Sequence, residues 1–202
     1  MPEYTTYSPK EIAAFQGLFS LAASGKDFSS IKVQDIATAA GIGKGTLYEY
    51  FCSKEEILSS AVLYALERIT DWLESQLSSH DSLYKVLDHF LEELQTERIL
   101  PFSSLAALCS IVSSEQRKQI NEQHHEKLQY ISQRMRLCEQ QFFEAGRRNG
   151  EIASELDDSF CEYVIMSALV GMAGKNLCAQ QQPDSKPEWH MVRQLIFRSL
   201  RP

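Results

Sequence analysis

The chain has 202 residues, is 44% hydrophobic and 23% charged, and carries a formal net charge of −7. That length and composition allow a substantial core, which excludes a disordered or low-complexity protein. The longest uncharged apolar run covers residues 163–174, well short of the roughly 20 that a bilayer span needs, and residues 1–10 lack a signal-peptide pattern. The sequence therefore predicts a cytoplasmic protein with no membrane partner.

The cysteines are scattered, and their pattern excludes two classes of site. There are five of them, an odd number, and no two form a C-x-x-C pair. This pattern favours free thiols in a reducing compartment over a disulfide framework or a zinc site. We expect them to be buried as small hydrophobic side chains, and redox sensing by one of them stays open.

The first predicted helix covers residues 9–24. Pro9 suits a first helical turn, Ser8 is a natural N-cap, and apolar residues recur at spacings of three and four. Phe28 and Ile31 follow it and are expected to pack back onto it. Lys32, which precedes the next helix, offers no oxygen for an N-cap, so that helix is expected to begin less firmly or to use Ser30.

Residues 33–54 have the local chemistry of two short helices joined by a tight turn. Gly41 stands where a helix stop and a left-handed backbone are wanted, and a second helix is predicted from about Lys44 to Phe51. Two helices around a short glycine-containing turn predict a helix-turn-helix, whose second helix can enter a major groove. The run D-I-A-x-A-A-G-I-x-K-G-T-L-Y-x-Y-F-x-S-K-E, from Asp35 to Glu55, closely resembles the DNA-binding domain of the TetR family of transcriptional regulators.

The resemblance implies which side chains of this segment meet DNA. Base or phosphate contacts are expected from Lys44 and Thr46, close approach at the two glycines beside Lys44, and phosphate contacts from the tyrosines and the final lysine. The full predicted set is Gly43, Lys44, Gly45, Thr46, Tyr48, Tyr50 and Lys54. The alternative is that one or both tyrosines belong to the core, although Leu47 and Phe51 already supply an apolar stripe at i and i+4.

Charge is divided unevenly along the chain. Residues 1–54 hold five lysines, no arginine and five acidic residues, so the remainder carries the whole net charge of −7. An N-terminal segment without net charge, followed by an acidic remainder, fits a protein that presents only its N-terminal part to phosphate. The lack of net positive charge also predicts weak non-specific DNA affinity.

Every segment after residue 54 has a helical pattern. Ser53 is a natural N-cap for a long helix reaching about residue 79, and further helices are predicted over 83–98, 102–113, 115–149, 156–180 and 188–200. We therefore predict an all-α fold. An N-terminal three-helix helix-turn-helix DNA-binding domain covers residues 1–54, and a helical bundle for effector binding and dimerisation covers residues 55–202.

The resemblance also implies an effector site and a dimer interface in residues 55–202. Relatives enclose an apolar cavity for a small apolar or amphipathic effector, and the candidate lining residues are Phe102, Cys109, Tyr130, Arg134 and Cys138. The last two long helices form the homodimer interface of the family, for which the candidates are Leu169, Met172, Ala173, Trp189, Val192 and Ile196. The alternative for each candidate is an ordinary core position.

No catalytic arrangement stands out. Glu122-x-x-His125 has the spacing of a di-iron ligand pair but lacks the second pair that such a site needs, and Gly43-x-Gly45 lacks the third glycine of a dinucleotide site. We predict no enzyme activity, no cofactor and no metal site. The prediction is a homodimeric repressor of a palindromic double-stranded DNA operator. A regulator without a small effector, one controlled by a protein partner, or an interaction protein without DNA binding stays open.

Overall fold

A computed structural model describes residues 7–24, 26, 28–77, 82–96, 114–178 and 189–202 of the chain. The described residues form eight α-helices and one 3-10 turn and contain no strand, which confirms the predicted all-α class. The helices are α1 (Pro9–Ala23), α2 (Val33–Ala39), α3 (Lys44–Tyr50), α4 (Lys54–Leu77), α5 (Leu83–Gln95), α6 (Ser114–Arg148), α7 (Asp158–Cys178) and α8 (Trp189–Leu200), with the 3-10 turn at Phe28–Ser30. None of these helices is both long and apolar enough to cross a bilayer.

The chain divides into two compact units. The described residues of the first unit lie in 7–67 and 114–129, and those of the second lie in 68–96 and 130–202. The boundaries fall inside α4 and α6. The functional division at residue 54 stays a prediction, and the helix predicted over 102–113 lies outside the described residues.

Helix α1 begins with the predicted cap. The Ser8 hydroxyl accepts from the Glu11 amide at 3.3 Å, the Glu11 carboxylate accepts from the Ser8 amide at 2.7 Å, and Pro9 occupies the first turn. This reciprocal capping box satisfies backbone donors that have no partner within the helix. The prediction for the start of α1 is confirmed.

The first unit has a three-helix core made by α1, α2 and α3. A Cβ atom at Gly17 would lie 2.9 Å from the Ala40 amide nitrogen, so this glycine permits the close approach of α1 and α2. The buried apolar side chains of this core are Ala14, Phe15, Leu18, Phe19, Ala22, Phe28, Ile31, Ile36, Ala37, Leu47 and Phe51. Phe28 and Ile31 pack inward, as predicted.

Helices α2 and α4 begin differently. Lys32 caps α2 without a side-chain hydrogen bond, as predicted, and the Asp35 carboxylate accepts from its amide at 2.9 Å. At the start of α4, the Ser53 hydroxyl accepts from the Glu56 amide at 3.0 Å, which confirms Ser53 as a cap. The Glu56 carboxylate accepts from the Cys52 amide at 2.6 Å.

Helix α6 is interrupted, which the sequence did not predict. His124 has φ −127° and ψ 26°, outside the helical region, so two helical segments meet there. No proline or glycine marks the position. The side chain is half-buried, and burial, together with Lys127, lowers the pKa of its imidazole. The prediction of one uninterrupted helix over 115–149 is therefore wrong at this residue.

The second unit has its own apolar core, built from α5, α7, α8 and the C-terminal part of α6. Gly146 fits closely in it, since a Cβ atom there would lie 2.9 Å from Ile152 Cδ1. The buried members are Leu83, Val86, Leu87, Leu91, Cys138, Phe142, Phe143, Ile152, Cys161, Ala168, Met172, Val192, Ile196, Phe197 and Leu200.

Candidate nucleic-acid interface and apolar pocket

The turn between α2 and α3 depends on Gly41. Its φ of +68° lies in the left-handed region that glycine adopts without strain, as the sequence predicted. Two backbone bonds close the turn: the Gly41 amide donates to Thr38 at 3.2 Å, and the Ile42 amide donates to Ala37 at 3.0 Å. The Ile42 side chain is half-buried. This turn fixes the direction in which α3 leaves.

Helix α3 separates its apolar and polar side chains cleanly. Leu47 is buried, as is Phe51 directly after the helix, whereas Tyr48 is 52% exposed and Tyr50 is 37% exposed. The alternative that both tyrosines belong to the core is therefore wrong. The other predicted contact positions, Gly43, Lys44 and Gly45, are exposed, and Thr46 is half-buried. Most of the predicted contact positions are therefore accessible to solvent.

Lys54 is placed differently from the other predicted contacts. Its Nζ atom donates to the carbonyl oxygens of Phe28 at 2.8 Å and Ile31 at 3.0 Å, and it lies 4.3 Å from the centroid of the Phe28 ring. The ammonium therefore ties the start of α4 to the segment before α2. Its contact with phosphate stays a prediction, and its internal contacts give it a structural role that the sequence did not reveal.

A pocket lies within the second unit and has a volume of about 110 Å³. Two carboxylates, Glu139 and Glu162, interrupt an otherwise apolar lining. Burial and the neighbouring Glu162 and Asp158 raise the pKa of Glu139 to about 7, while Arg136 opposes them. The remaining lining residues are Ile69, Leu73, Leu83, Val86, Leu87, Phe90, Met135, Phe142, Phe143, Ile165, Met166 and Leu169.

The helix-turn-helix matches a known family. Residues 23–61 match the model described as "Bacterial regulatory proteins, tetR family". This segment of the chain is thus a TetR-type helix-turn-helix. Over 90 residues it is 31% identical to YvdT of Bacillus subtilis (strain 168), an uncharacterized HTH-type transcriptional regulator. That match spans 41% of this chain and 46% of YvdT, about half the length of the relative.

Two solved structures share the whole fold. The fatty acid degradation regulator FadR of Bacillus halodurans is 22% identical, with a TM-score of 0.68 over 96% of this chain and 97% of FadR. FadR of Bacillus subtilis, solved in complex with stearoyl-CoA, is 19% identical, with a TM-score of 0.66 over 94% and 98%. At these identities the likeness shows the fold alone.

Three of the effector residues suggested by the TetR resemblance are described, and none of the three lines this pocket. Arg134 binds the Glu74 carboxylate and donates to Asp71 Oδ1 at 2.7 Å, and its hydrogen bonds to Glu74 lower the pKa of that carboxyl. The Tyr130 ring lies 5.5 Å from the Arg134 guanidinium carbon. Cys138 is buried, and burial raises the pKa of its thiol. The other two candidates, Phe102 and Cys109, lie outside the described residues.

The predicted dimer residues of the TetR resemblance lie in different environments, and the dimer interface stays a prediction. Met172, Val192 and Ile196 belong to the chain's own core and offer almost no surface to a partner. Leu169 lines the pocket, Trp189 packs against the core, and the side chain of Ala173 is outside the described part. The large apolar side chains that are exposed on α7 and α8 instead are Phe160, Tyr163, Met166, Val170, Met191 and Leu195.

Among the described residues, no group of three histidine, cysteine or acidic side chains is placed to hold a metal ion. The histidines of the Glu122-x-x-His125 motif differ in exposure, since His125 is exposed and His124 is half-buried.

Proposed function

We propose that this protein is a homodimeric repressor that binds a palindromic operator through Gly43–Tyr50 in the cytoplasm and releases it when a small apolar or amphipathic effector binds. The observation that carries the proposal is the exposed surface of α3, held by a buried Leu47 on a TetR-type helix-turn-helix. Exposed hydroxyl and ammonium groups beside accessible glycines suit contacts to phosphates and base edges.

Dimerisation is supported by the outer face of α7 and α8. Phe160, Tyr163 and Val170 follow one another at spacings of three and seven along α7, and Met191 and Leu195 are four residues apart on α8. Contiguous exposed apolar side chains on paired helices mark an interaction surface. A twofold arrangement of two such chains would place two α3 helices in successive major grooves, ~34–36 Å apart.

Helix α4 supports coupling between effector and operator. Its first residue, Lys54, holds two carbonyl groups next to the helix-turn-helix, and its later residues Ile69 and Leu73 line the pocket. A ligand that displaces Ile69 and Leu73 therefore acts on the same helix that anchors the first unit. Release follows only if the ligand binds the state with low operator affinity more tightly.

The pocket favours an effector-controlled regulator over one that answers only to a protein partner. A regulator without an effector needs no cavity, whereas this one has a partly open, mainly apolar space enclosed by four helices. Pockets of that kind, with a few polar groups, are the usual sites for small molecules.

The test selects DNA fragments from the source genome with purified protein at two salt concentrations, using Lys44→Ala and, as a matched control, Lys85→Ala. Lys85 is also an exposed lysine but lies on α5. We expect an inverted repeat with half-sites about one helical turn apart, weakened by Lys44→Ala and unchanged by Lys85→Ala. Recovery of no specific sequence even at low salt would contradict the proposal and favour an interaction protein that does not bind DNA.

A further inference from the structure

We propose that the pocket of the second unit binds an organic cation with a short apolar tail, and that Glu139 and Glu162 hold its positive charge. This inference rests on the proposed effector function of the pocket and names the chemical class of its ligand. It departs from the stearoyl-CoA of the Bacillus subtilis FadR structure, which is an anion.

Each of the two helices that carry the acids places one carboxylate in an apolar stripe. On α6, Glu139 is four residues after Met135 and three before Phe142, and all three line the pocket. On α7, Glu162 precedes Met166 by four residues and faces the same space. Positions three and four apart share one helix face, so the acids interrupt surfaces that the sequence would otherwise make continuously apolar.

Glu139 differs from the other buried or half-buried acids because no described residue hydrogen-bonds or ion-pairs with its carboxylate. Glu67 has Lys127 at 3.0 Å, Glu93 has His89 at 3.1 Å, and Glu74 has Arg134. A partly buried carboxylate without a cationic partner is unfavourable. A ligand that brings a positive charge removes that penalty.

The charges around Glu139 select against an anion. Glu162 and Asp158, both on α7, face it with negative charge, and Arg136, three residues earlier on α6, is the opposing cation. An anionic head group placed here would meet three carboxylates against one guanidinium. Phe90, Phe142 and Phe143 also line the pocket, and aromatic rings attract organic cations but not anions.

The size of the pocket sets the size of the probe. Its volume of about 110 Å³ is of the order of an engineered cavity of ~150 Å³ that accepts benzene, so a six-carbon tail is a suitable trial ligand. We choose hexyltrimethylammonium, hexanol and hexanoate, which share a tail and differ in the charge of the head.

The experiment measures binding of the three probes to the full-length protein at pH 8 by calorimetry, without DNA. We expect hexyltrimethylammonium to bind more tightly than hexanol, and hexanoate to bind most weakly. Glu139→Gln should lower the affinity for the cation by about tenfold and leave hexanol unchanged or bound more tightly. Glu162→Gln, at an exposed position, should lower the affinity for the cation less. The matched control is Glu144→Gln, an exposed acid on α6 outside the pocket, which should change nothing.

Hexanoate binding as tightly as the cation, or a cation affinity that survives both Glu139→Gln and Glu162→Gln, would overturn the proposal. The binding measurement does not depend on DNA. If the protein selects no operator but binds the cation, only the proposed repressor function is contradicted. If the protein selects an operator but does not prefer the cation, only the proposed ligand class is contradicted.

Discussion

Helices α3 and α7 use apolar residues in opposite ways. In α3 the apolar Leu47 is buried, and the exposed side chains are polar or carry a hydroxyl group. Burial of one face is therefore enough to cover the purely apolar side chain of this helix. In α7, Cys161 and Ala168 point into the core, Ile165 and Leu169 line the pocket, and Tyr163 is 72% exposed. A helix that is apolar on every side is normally covered on every side. The difference supports the proposal that α3 meets a polar partner and that α7 packs against a second protein surface.

The comparison is tested most strongly by charging the outer face of α7. Tyr163→Glu with Val170→Glu should dissociate the dimer and weaken operator binding by roughly 100-fold or more, because each helix-turn-helix then binds without the high local concentration that its partner provides. Light scattering and a DNA titration measure the two effects. The control is Leu137→Glu, which charges an exposed leucine on α6. A double variant that remains dimeric would refute the assignment of this face.

Two lysines of the first unit should separate a surface role from a structural one. Lys54→Ala should reduce the free energy of unfolding by about 2 kcal/mol, because it removes two charge-assisted hydrogen bonds to Phe28 and Ile31. Lys44→Ala should leave stability unchanged, weaken DNA binding, and reduce the salt dependence by about one counterion per protomer. Thermal unfolding and DNA titrations at several salt concentrations measure both. Equal stability losses would contradict the distinction.

Substitution of two glycines also separates a role in stability from a role in DNA binding. Gly41→Ala should lower stability by about 1.5 kcal/mol, since its φ of +68° strains any residue with a Cβ atom even though nothing lies within 4 Å. Gly45→Ala should keep or slightly raise stability, because its Cβ atom would also meet nothing within 4 Å and alanine favours a helix. If α3 approaches DNA closely there, the stable Gly45→Ala protein should still lose operator affinity. Unchanged affinity would place Gly45 away from the DNA.

The smallest expected effect concerns the acid on the pocket side of α6. The pKa of Glu139 is about 7 in the folded chain, above the ordinary glutamate value of 4.5, so the folded state holds this proton more tightly. Its ionisation therefore removes stability as pH rises from 4.5 through 7, and the loss is complete above 7. Glu139→Gln should stabilise the protein by about 1 kcal/mol at pH 8, a value reduced for solvent screening of a partly exposed group, and by less at pH 5. Melting temperatures at both pH values check this. A gain that is equal at both would show that ionisation is not the cause.

Local chemistry was predictable from the sequence, whereas choices between helix faces were not. Ser8, Gly41 and Ser53 act within a few residues of themselves, so their roles as caps and turn were visible in the chain. The internal hydrogen bonds of Lys54 were not predictable in this way, because their acceptors lie 23 and 26 residues away. The interruption at His124 has no local signal such as proline.

The faces of α7 and the lining of the pocket could not be read from the sequence for a related physical reason. Apolar residues on several sides of α7 show that it is covered, but periodicity alone does not say which side meets the core and which meets a partner. Met172, taken for the interface, is core, and Tyr163 is exposed. The predicted effector residues are aromatic, cysteine and arginine residues, whereas the two polar residues that line this pocket are acids. A glutamate in register with Met135 and Phe142 was the available signal.

The internal hydrogen bonds of Lys54 also bear on how such a protein finds its target. Of the five lysines among residues 1–54, this one directs its charge inward, in a segment that has no arginine and no net positive charge. Few cations then remain for non-specific binding to DNA, and one-dimensional sliding along DNA depends on non-specific binding. We therefore expect short residence times at non-specific sites and a search for the operator that proceeds mainly by three-dimensional diffusion. Most copies that are not on the operator should then be free in solution rather than bound non-specifically along the chromosome.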